Sequence, residues 1–196
     1  NANYAEMFSN SFGNNVILQN INGSITYYVV NASTGLANNA ITVVTSGASL
    51  AQITGEAQKV YVIYKNTSTN KIVGKFSTNS GIDWTPLNYE LNVNPSTLDA
   101  VAYGGKIHIT YTQDNKAHYY QYDGSSWTKY KDISGSELGI NPSIELLPSS
   151  NKLYVAYNGP NGSAKSRECD IVENSWNELK TLYSYLNYPV LAGFGV

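Results

Sequence analysis

The sequence has little charge and few of the residues that support catalysis or bind metals. Among 196 residues it has one cysteine, one arginine and two histidines, and only 13% of its residues are charged. The lone Cys169 excludes an internal disulfide, and we expect it to pack as a small apolar side chain in a strand. No apolar run approaches the roughly 20 residues that cross a bilayer as a helix, so we expect no membrane span.

Positive charge is also too sparse for a nucleic-acid partner. Eleven lysines and Arg167 are spread along the chain, and the net charge is -2. Because no basic patch is present to neutralise a phosphate backbone, we expect no nucleic-acid partner. Many Asn, Ser, Thr and Tyr residues beside this low charge are typical of secreted and cell-surface β-proteins, which is the location we predict.

Helical periodicity is missing as well, and an internal repeat takes its place. Pro95, Pro142 and Pro189 recur every 47 residues, and the Lys-led apolar runs at 59–64, 106–111 and 152–157 follow at steps of 47 and 46. A fixed period of this size predicts a propeller or a solenoid. We therefore predict a single domain over 1–196, made of repeats at about 1–47, 48–94, 95–141 and 142–188, plus a partial first strand at 189–196.

Each repeat is expected to contain four strands. In the third copy they are predicted at 96–103, 106–113, 116–123 and 126–133, separated by Gly-Gly, Asp-Asn and Gly-Ser pairs that favour hairpin turns. The second strand of each copy is apolar at consecutive positions, which indicates burial on both faces. In the diverged first copy, ITYYVVN (25–31) matches AHYYQYD (117–123).

These features predict an all-β chain, a β-propeller of four 47-residue, four-stranded blades. The blades could form a complete four-blade ring or part of a larger ring, including one completed by a second copy in a homo-oligomer. If the ring closes within one chain, segment 189–196 is expected to lie beside the first blade as a clasp.

The turn between the third and fourth strands of the second copy carries a family motif. The stretch STNSGIDW (77–84) resembles the Asp-box, Ser-x-Asp-x-Gly-x-x-Trp, of sialidase-like propellers, with Asn79 in place of the aspartate. That family also places the box on this hairpin. The region with YDGSSW (122–127) resembles propeller lectins of fungi and bacteria, which bind sugars between neighbouring blades. The resemblance implies a propeller and carbohydrate recognition.

The same resemblance does not bring catalytic residues with it. Sialidases of this family use an arginine triad for the substrate carboxylate, because guanidinium groups bind carboxylates bidentately. Arg167 is the only arginine, so the chain alone is not an exo-sialidase. His108 and His118 have no further His or Cys at a ligand spacing, and no pair of carboxylates repeats. We predict no enzyme activity, no metal and no cofactor.

Aromatic residues near the third-to-fourth-strand turns are the candidate ligand contacts. The three tryptophans either wedge adjacent blades together or form platforms for sugar rings. The residues that precede the third-copy tryptophan either fill space between blades or hold a sugar ring. The candidate ligand-binding residues are Tyr120, Tyr122, Asp123, Trp127, Trp84 and Trp176.

The leading hypothesis is a non-enzymatic, lectin-like binding module whose partner is a glycan or another cell-surface ligand, bound between blades or on one rim. One alternative is a fragment of a sialidase-like glycoside-processing enzyme whose catalytic residues lie outside this chain. Another is a structural or assembly subunit.

Overall fold

A computed structural model describes residues 2–10, 13–31 and 33–183. The strand predicted at 189–196 lies outside the described residues. In the described part the chain forms seventeen strands, and its helical content is two short 3-10 turns at Pro148–Ser150 and Pro160–Gly162. Among the same residues, no helix has the length and apolar character needed to cross a membrane.

The strands form four antiparallel sheets, which we call blades 1 to 4, and in each the strands lie side by side in chain order. The strands of blade 1 are β1 (Ala2–Asn10), β2 (Gly13–Asn20), β3 (Ile25–Val30) and β4 (Ile41–Val44), and those of blade 2 are β5 (Ala48–Glu56), β6 (Lys59–Asn66), β7 (Ile72–Ser77) and β8 (Thr85–Pro86). The strands of blade 3 are β9 (Thr97–Tyr103), β10 (Lys106–Gln113), β11 (Lys116–Tyr122) and β12 (Trp127–Asp132), and those of blade 4 are β13 (Ile140–Leu147), β14 (Lys152–Asn158), β15 (Ala164–Asp170) and β16 (Ser175–Trp176). The prediction of four four-stranded sheets is confirmed.

Blade 3 follows its predicted strands to within one residue at each end. The β10–β11 hairpin turns at Asp114 and Asn115, which both have positive φ, at 52° and 58°. Two successive left-handed residues match the right-handed twist of the strands they join, and Asp and Asn tolerate this conformation better than most residues.

The fourth strands of blades 2 and 4 are shorter than the Trp-led strands expected from the repeat. Strand β8 pairs with β7 at only two positions and includes Pro86, which has no N–H to extend the ladder. In blade 4, β16 pairs with the end of β15 at two positions. A further strand, β17 (Lys180–Tyr183), then pairs with the start of β15.

The second strands of blades 2 and 3 are buried on both faces, as the consecutive apolar positions predict. Residues 60–64 of β6 and 107–112 of β10 are buried without interruption. A strand covered on both faces lies inside a stack of sheets, which explains why these runs do not alternate between apolar and polar residues.

Contacts between Cα atoms divide the chain into two compact units. The first contains the chain up to Asn94, with Gly104–Lys106 and Asp123–Trp127, and the second contains Pro95–Tyr103, Ile107–Tyr122 and the chain from Thr128 onward. The core of the first unit includes Ile17, Ile25, Tyr27, Ile53, Val60 and Val62. The core of the second unit includes Tyr119, Ile144, Leu153, Val155, Tyr157 and Cys169.

Cys169 lies on β15 and packs as the apolar side chain that the sequence predicts. It is 1% exposed. Burial raises the pKa of its thiol to about 12, so the residue stays protonated at neutral pH.

Candidate functional site

Within the first unit, a buried tyrosine of blade 1 contacts the tryptophan of blade 2. The ring of Tyr27 on β3 is fully buried and meets the Trp84 ring edge-on, with the centroids 5.3 Å apart. The Tyr27 hydroxyl lies 2.5 Å from Asn15 Oδ1 and 3.1 Å from the Ser80 carbonyl oxygen. Burial raises the pKa of Tyr27 to about 12. Trp84 therefore has a packing role between these two blades.

The turn at 77–84 holds that tryptophan through hydrogen bonds of its own. The Asn79 side-chain oxygen accepts from the Ser77 hydroxyl at 2.8 Å and from the Asp83 N–H at 3.0 Å. The Ser77 Oγ accepts from the Gly81 N–H at 2.8 Å, and the Trp84 indole N–H donates to the Gly81 carbonyl at 2.9 Å. The amide oxygen of Asn79 thus supplies an acceptor at the aspartate position of the motif.

The second unit repeats this aromatic contact between blades 3 and 4. Tyr119 on β11 is 1% exposed and meets Trp176 edge-on at a centroid distance of 4.8 Å. The Tyr119 hydroxyl oxygen lies 2.6 Å from His108 Nδ1. Trp176, like Trp84, packs against the blade that precedes its own.

Trp127 differs from the other two tryptophans because the register places a glycine where they have a tyrosine. In blade 3, Tyr119 on β11 pairs with Thr110 of the Lys-led strand. The position that corresponds to Thr110 in blade 2 is Ile63, and the residue that pairs with it on β7 is Gly74. The Trp127 indole N–H instead donates to the Tyr89 carbonyl at 3.0 Å. Trp127 is half-buried.

Asp123 is exposed and shapes its own turn. Its Oδ1 accepts hydrogen bonds from the Ser125 hydroxyl at 2.7 Å and from the N–H groups of Ser125 and Ser126 at 2.8 Å. The hydrogen bonds from Ser125, and then that from Ser126, lower the pKa of Asp123 to about 2. Asn31 makes the same kind of turn in blade 1 through Ser33 and Thr34.

The two remaining candidates lie on β11 and differ in exposure. Tyr122 is 4% exposed, and Tyr120 is half-buried with its ring 6.0 Å from that of Tyr111. Tyr120 also lies near Lys129. The hydrogen bond to Asp132 is the main cause that raises the pKa of Lys129, and the charge of Tyr120 adds to it.

A pocket within the second unit includes Lys129 in its lining and lies between β12 of blade 3 and β15 of blade 4. Its volume is about 440 Å³, and it is open to solvent. Its lining residues are Lys129, Lys131, Asp132, Gly135 and Arg167. Three of the five are cationic, which is unusual in a chain with a net charge of -2.

Arg167 is fixed in this pocket by backbone carbonyls and not by an ion pair. Its Nε donates to the Ile133 carbonyl at 2.9 Å, and its Nη1 donates to the Asn177 carbonyl at 3.1 Å. In the part of the chain that the structure describes, no carboxylate pairs with the guanidinium. The arginine is therefore oriented while its charge stays available to a ligand.

Asp132, the acidic residue of the pocket, already has two partners. Its Oδ1 lies 2.7 Å from Lys129 Nζ and 2.7 Å from His118 Nδ1. Burial acts to raise the pKa of Asp132, but the hydrogen bonds from Lys129 and His118 outweigh it and hold that pKa below its usual range. Asp132 is therefore ionised at neutral pH and cancels about one of the three positive charges.

Known structures with the same arrangement of strands give the fold. A variant of AofleA from Arthrobotrys oligospora with three arginine-to-alanine substitutions matches at 19% identity with a TM-score of 0.67, over 88% of this chain and 54% of that chain. The SapL1 lectin in complex with alpha methyl fucoside matches at 18% identity with a TM-score of 0.62, over 93% and 64%. The chain has the β-propeller fold.

A propeller enzyme is among the similar structures too. The NanB sialidase from Streptococcus pneumoniae matches at 14% identity with a TM-score of 0.54, over 78% of this chain and 27% of that chain. The propeller described here thus spans less than two thirds of the length of each of these chains. No protein-family model and no curated protein sequence matches it.

The propeller's pocket was not among the sequence predictions. Alternation along the predicted strand 126–133 puts Lys129 and Lys131 on one face, which was an available signal. Arg167 lies in the next repeat, and only the packing of β15 beside β12 brings it to them. Its single occurrence argued against a sialidase but did not point to this site.

Proposed function

We propose that this propeller is a non-enzymatic binding module that recognises carbohydrate in a lectin-like way. The observation that supports this function is the pocket between blades 3 and 4. A volume of about 440 Å³ falls within the roughly 300–1,000 Å³ of small-molecule sites. Its polar lining offers hydrogen-bond donors from three side chains that a sugar could contact.

Two of the predicted aromatic contacts support the same proposal. Trp127 is half-buried on β12, and Tyr120 is half-buried near Lys129. We propose Tyr120 as a secondary contact of this pocket that presents a ring face to a sugar, and Trp127, which belongs to the first unit, as a separate candidate contact. Packing between and within blades better explains the roles of Trp84, Trp176 and Tyr122. The role of Asp123 is to hold its own turn.

The lectin structures reported above also support carbohydrate recognition. SapL1 was solved with alpha methyl fucoside. For this chain we extend the proposal to a secreted or cell-surface location, a single propeller domain over 1–196, and an Asp-box variant at 77–84 in which Asn79 replaces the aspartate. Molar mass in solution tests whether a second copy completes the ring.

A glycan array probed with the labelled chain tests the function, with hits confirmed by titration of tryptophan fluorescence. We expect binding to a subset of glycans, and we expect Gly135→Asn to weaken it about tenfold by placing a side chain at the pocket lining. Asparagine tolerates the left-handed backbone of Gly135, whose φ is +60° and which has open space around it.

Gly104→Asn is the matched control, because Gly104 has the same φ of +60°, the same open surroundings and a place outside the pocket. It should leave the affinity unchanged. Equal loss in both variants, or no glycan bound across a broad array, would count against the proposal.

A further inference from the structure

We infer that the pocket between blades 3 and 4 selects an acidic saccharide, a sugar that carries a carboxylate. This inference rests on the proposed function, since it assigns the class of ligand to the same site. It follows from the balance of charge and of hydrogen-bond donors and acceptors in the pocket.

The lining of the pocket carries more positive than negative charge. Lys129, Lys131 and Arg167 face one carboxylate, that of Asp132. Two other lysines of the second unit are paired with acidic groups: Lys152 contacts Glu168 at 2.6 Å, and Lys165 contacts Glu137. The pocket therefore concentrates unneutralised positive charge in a chain that is acidic as a whole.

Two cations of the lining, Arg167 and Lys131, have hydrogen-bond donors that no group among the described residues accepts. Arg167 uses Nε and Nη1 on backbone carbonyls, and its Nη2 has no acceptor among the described residues. The side chain of Lys131 has no hydrogen bond or ion pair within the part of the chain that the structure describes. A carboxylate accepts from a guanidinium and an ammonium at once, and such charge-assisted bonds are the strong ones.

The side chains of the lining offer few hydrogen-bond acceptors. A neutral sugar presents hydroxyl groups that donate as well as accept, and pockets for it need an available carboxylate or carbonyl. Lys129 and His118 both contact Oδ1 of Asp132, the acidic group in the lining, which leaves Oδ2 as its one carboxylate oxygen without a partner among the described residues. A ligand in this pocket therefore meets mainly donors, which favours an anion over a neutral hydroxylated ring.

Methyl β-glucuronide and methyl β-glucoside test the inference, because they differ only by a carboxylate in place of a hydroxymethyl group. We expect the glucuronide to bind at least about tenfold more tightly by calorimetry or fluorescence, as charge-assisted bonds imply. Its affinity should fall as sodium chloride is raised to about 0.5 M, because salt screens an open pocket. The glucoside should show no such salt dependence.

Three variants locate the effect. We expect Arg167→Gln to weaken glucuronide binding by about tenfold to hundredfold and Lys131→Gln by about threefold to tenfold. Lys106→Gln, a lysine outside the pocket, should change it less than about twofold. Circular dichroism checks that Arg167→Gln folds. If it does not, Lys131→Gln still decides, since the Lys131 side chain makes no hydrogen bond or ion pair within the described residues.

The outcomes separate this inference from the proposed function. If array glycans bind and Gly135→Asn weakens them, but the glucuronide binds no better than the glucoside at about 10 mM, the acidic ligand is wrong and carbohydrate recognition stands. If no glycan binds and inorganic sulfate or a DNA oligonucleotide does, both are wrong. Unchanged glucuronide affinity in Lys131→Gln and Arg167→Gln also overturns the inference.

Discussion

Replacing Gly81 with alanine is expected to lower the free energy of unfolding by about 3–5 kcal/mol, from overpacking and left-handed backbone strain together. A Cβ at this position would lie 2.0 Å from Cε1 of the Tyr27 ring. That ring is fully buried and cannot move aside without losing its contacts with Trp84 and Asn15. The φ of Gly81, +85°, adds strain for any L side chain.

The matched control is Gly124→Ala. Gly124 occupies the corresponding turn of blade 3 with a φ of +97° and open space around it. Its alanine variant therefore has only the backbone strain, about 1–2 kcal/mol. Urea denaturation of both variants at neutral pH measures the difference. Equal losses would show that Tyr27 does not restrict Gly81 and that the contact between blades 1 and 2 is misplaced.

Replacing Asp99 with alanine is expected to cost about 1–3 kcal/mol, because it leaves a buried backbone donor without an acceptor. Asp99 on β9 accepts from the Ile144 N–H at 2.8 Å and from the Ser143 hydroxyl at 3.0 Å, and so joins blade 3 to blade 4. Asp99→Asn keeps an acceptor for Ile144, and we expect it to lose about half as much.

The stability that Asp99 provides should depend on pH in a direction opposite to that of most acidic residues. Burial raises the pKa of Asp99, against the hydrogen bonds from Ile144, Ser143 and Ala100 that lower it. A folded-state pKa above the unfolded value means that this stability is complete below the unfolded pKa of about 3.9 and is lost as pH rises through the folded pKa.

Denaturation of the wild type and Asp99→Asn across this pH range measures the effect as the difference between the two chains. The wild type should lose stability relative to Asp99→Asn as pH rises from about 4. A difference that stays constant, or that grows in favour of the wild type, would contradict the assignment of Asp99 to a desolvated position.

The fold could be predicted because its determinants are local and repeated. The Lys-led runs at 59–64 and 106–111 became β6 and β10, and turn pairs such as Asp114-Asn115 adopt the positive φ that the hairpin requires. The short fourth strands were less predictable. Pro86 stops β8, and the division of the fourth strand into β16 and β17 depends on pairing with β15.

The candidate site was harder to predict because it depends on which residues of different repeats become neighbours. Trp84 and Trp176 are alike in sequence to Trp127 and meet Tyr27 and Tyr119. At the equivalent position for Trp127, the register puts Gly74 opposite Ile63. Arg167 and Lys131 are 36 positions apart and share a pocket through the packing of two blades. A repeat pattern shows equivalent positions within each blade but not the contacts between blades.

The most direct test of the central claim is a ¹H–¹⁵N titration of the chain with a glycan selected by the array. We predict chemical-shift changes at the amides of Lys131, Asp132 and Gly135 and at Nε of Arg167. Binding without any change at these four residues would contradict the assignment of the ligand site to the pocket between blades 3 and 4.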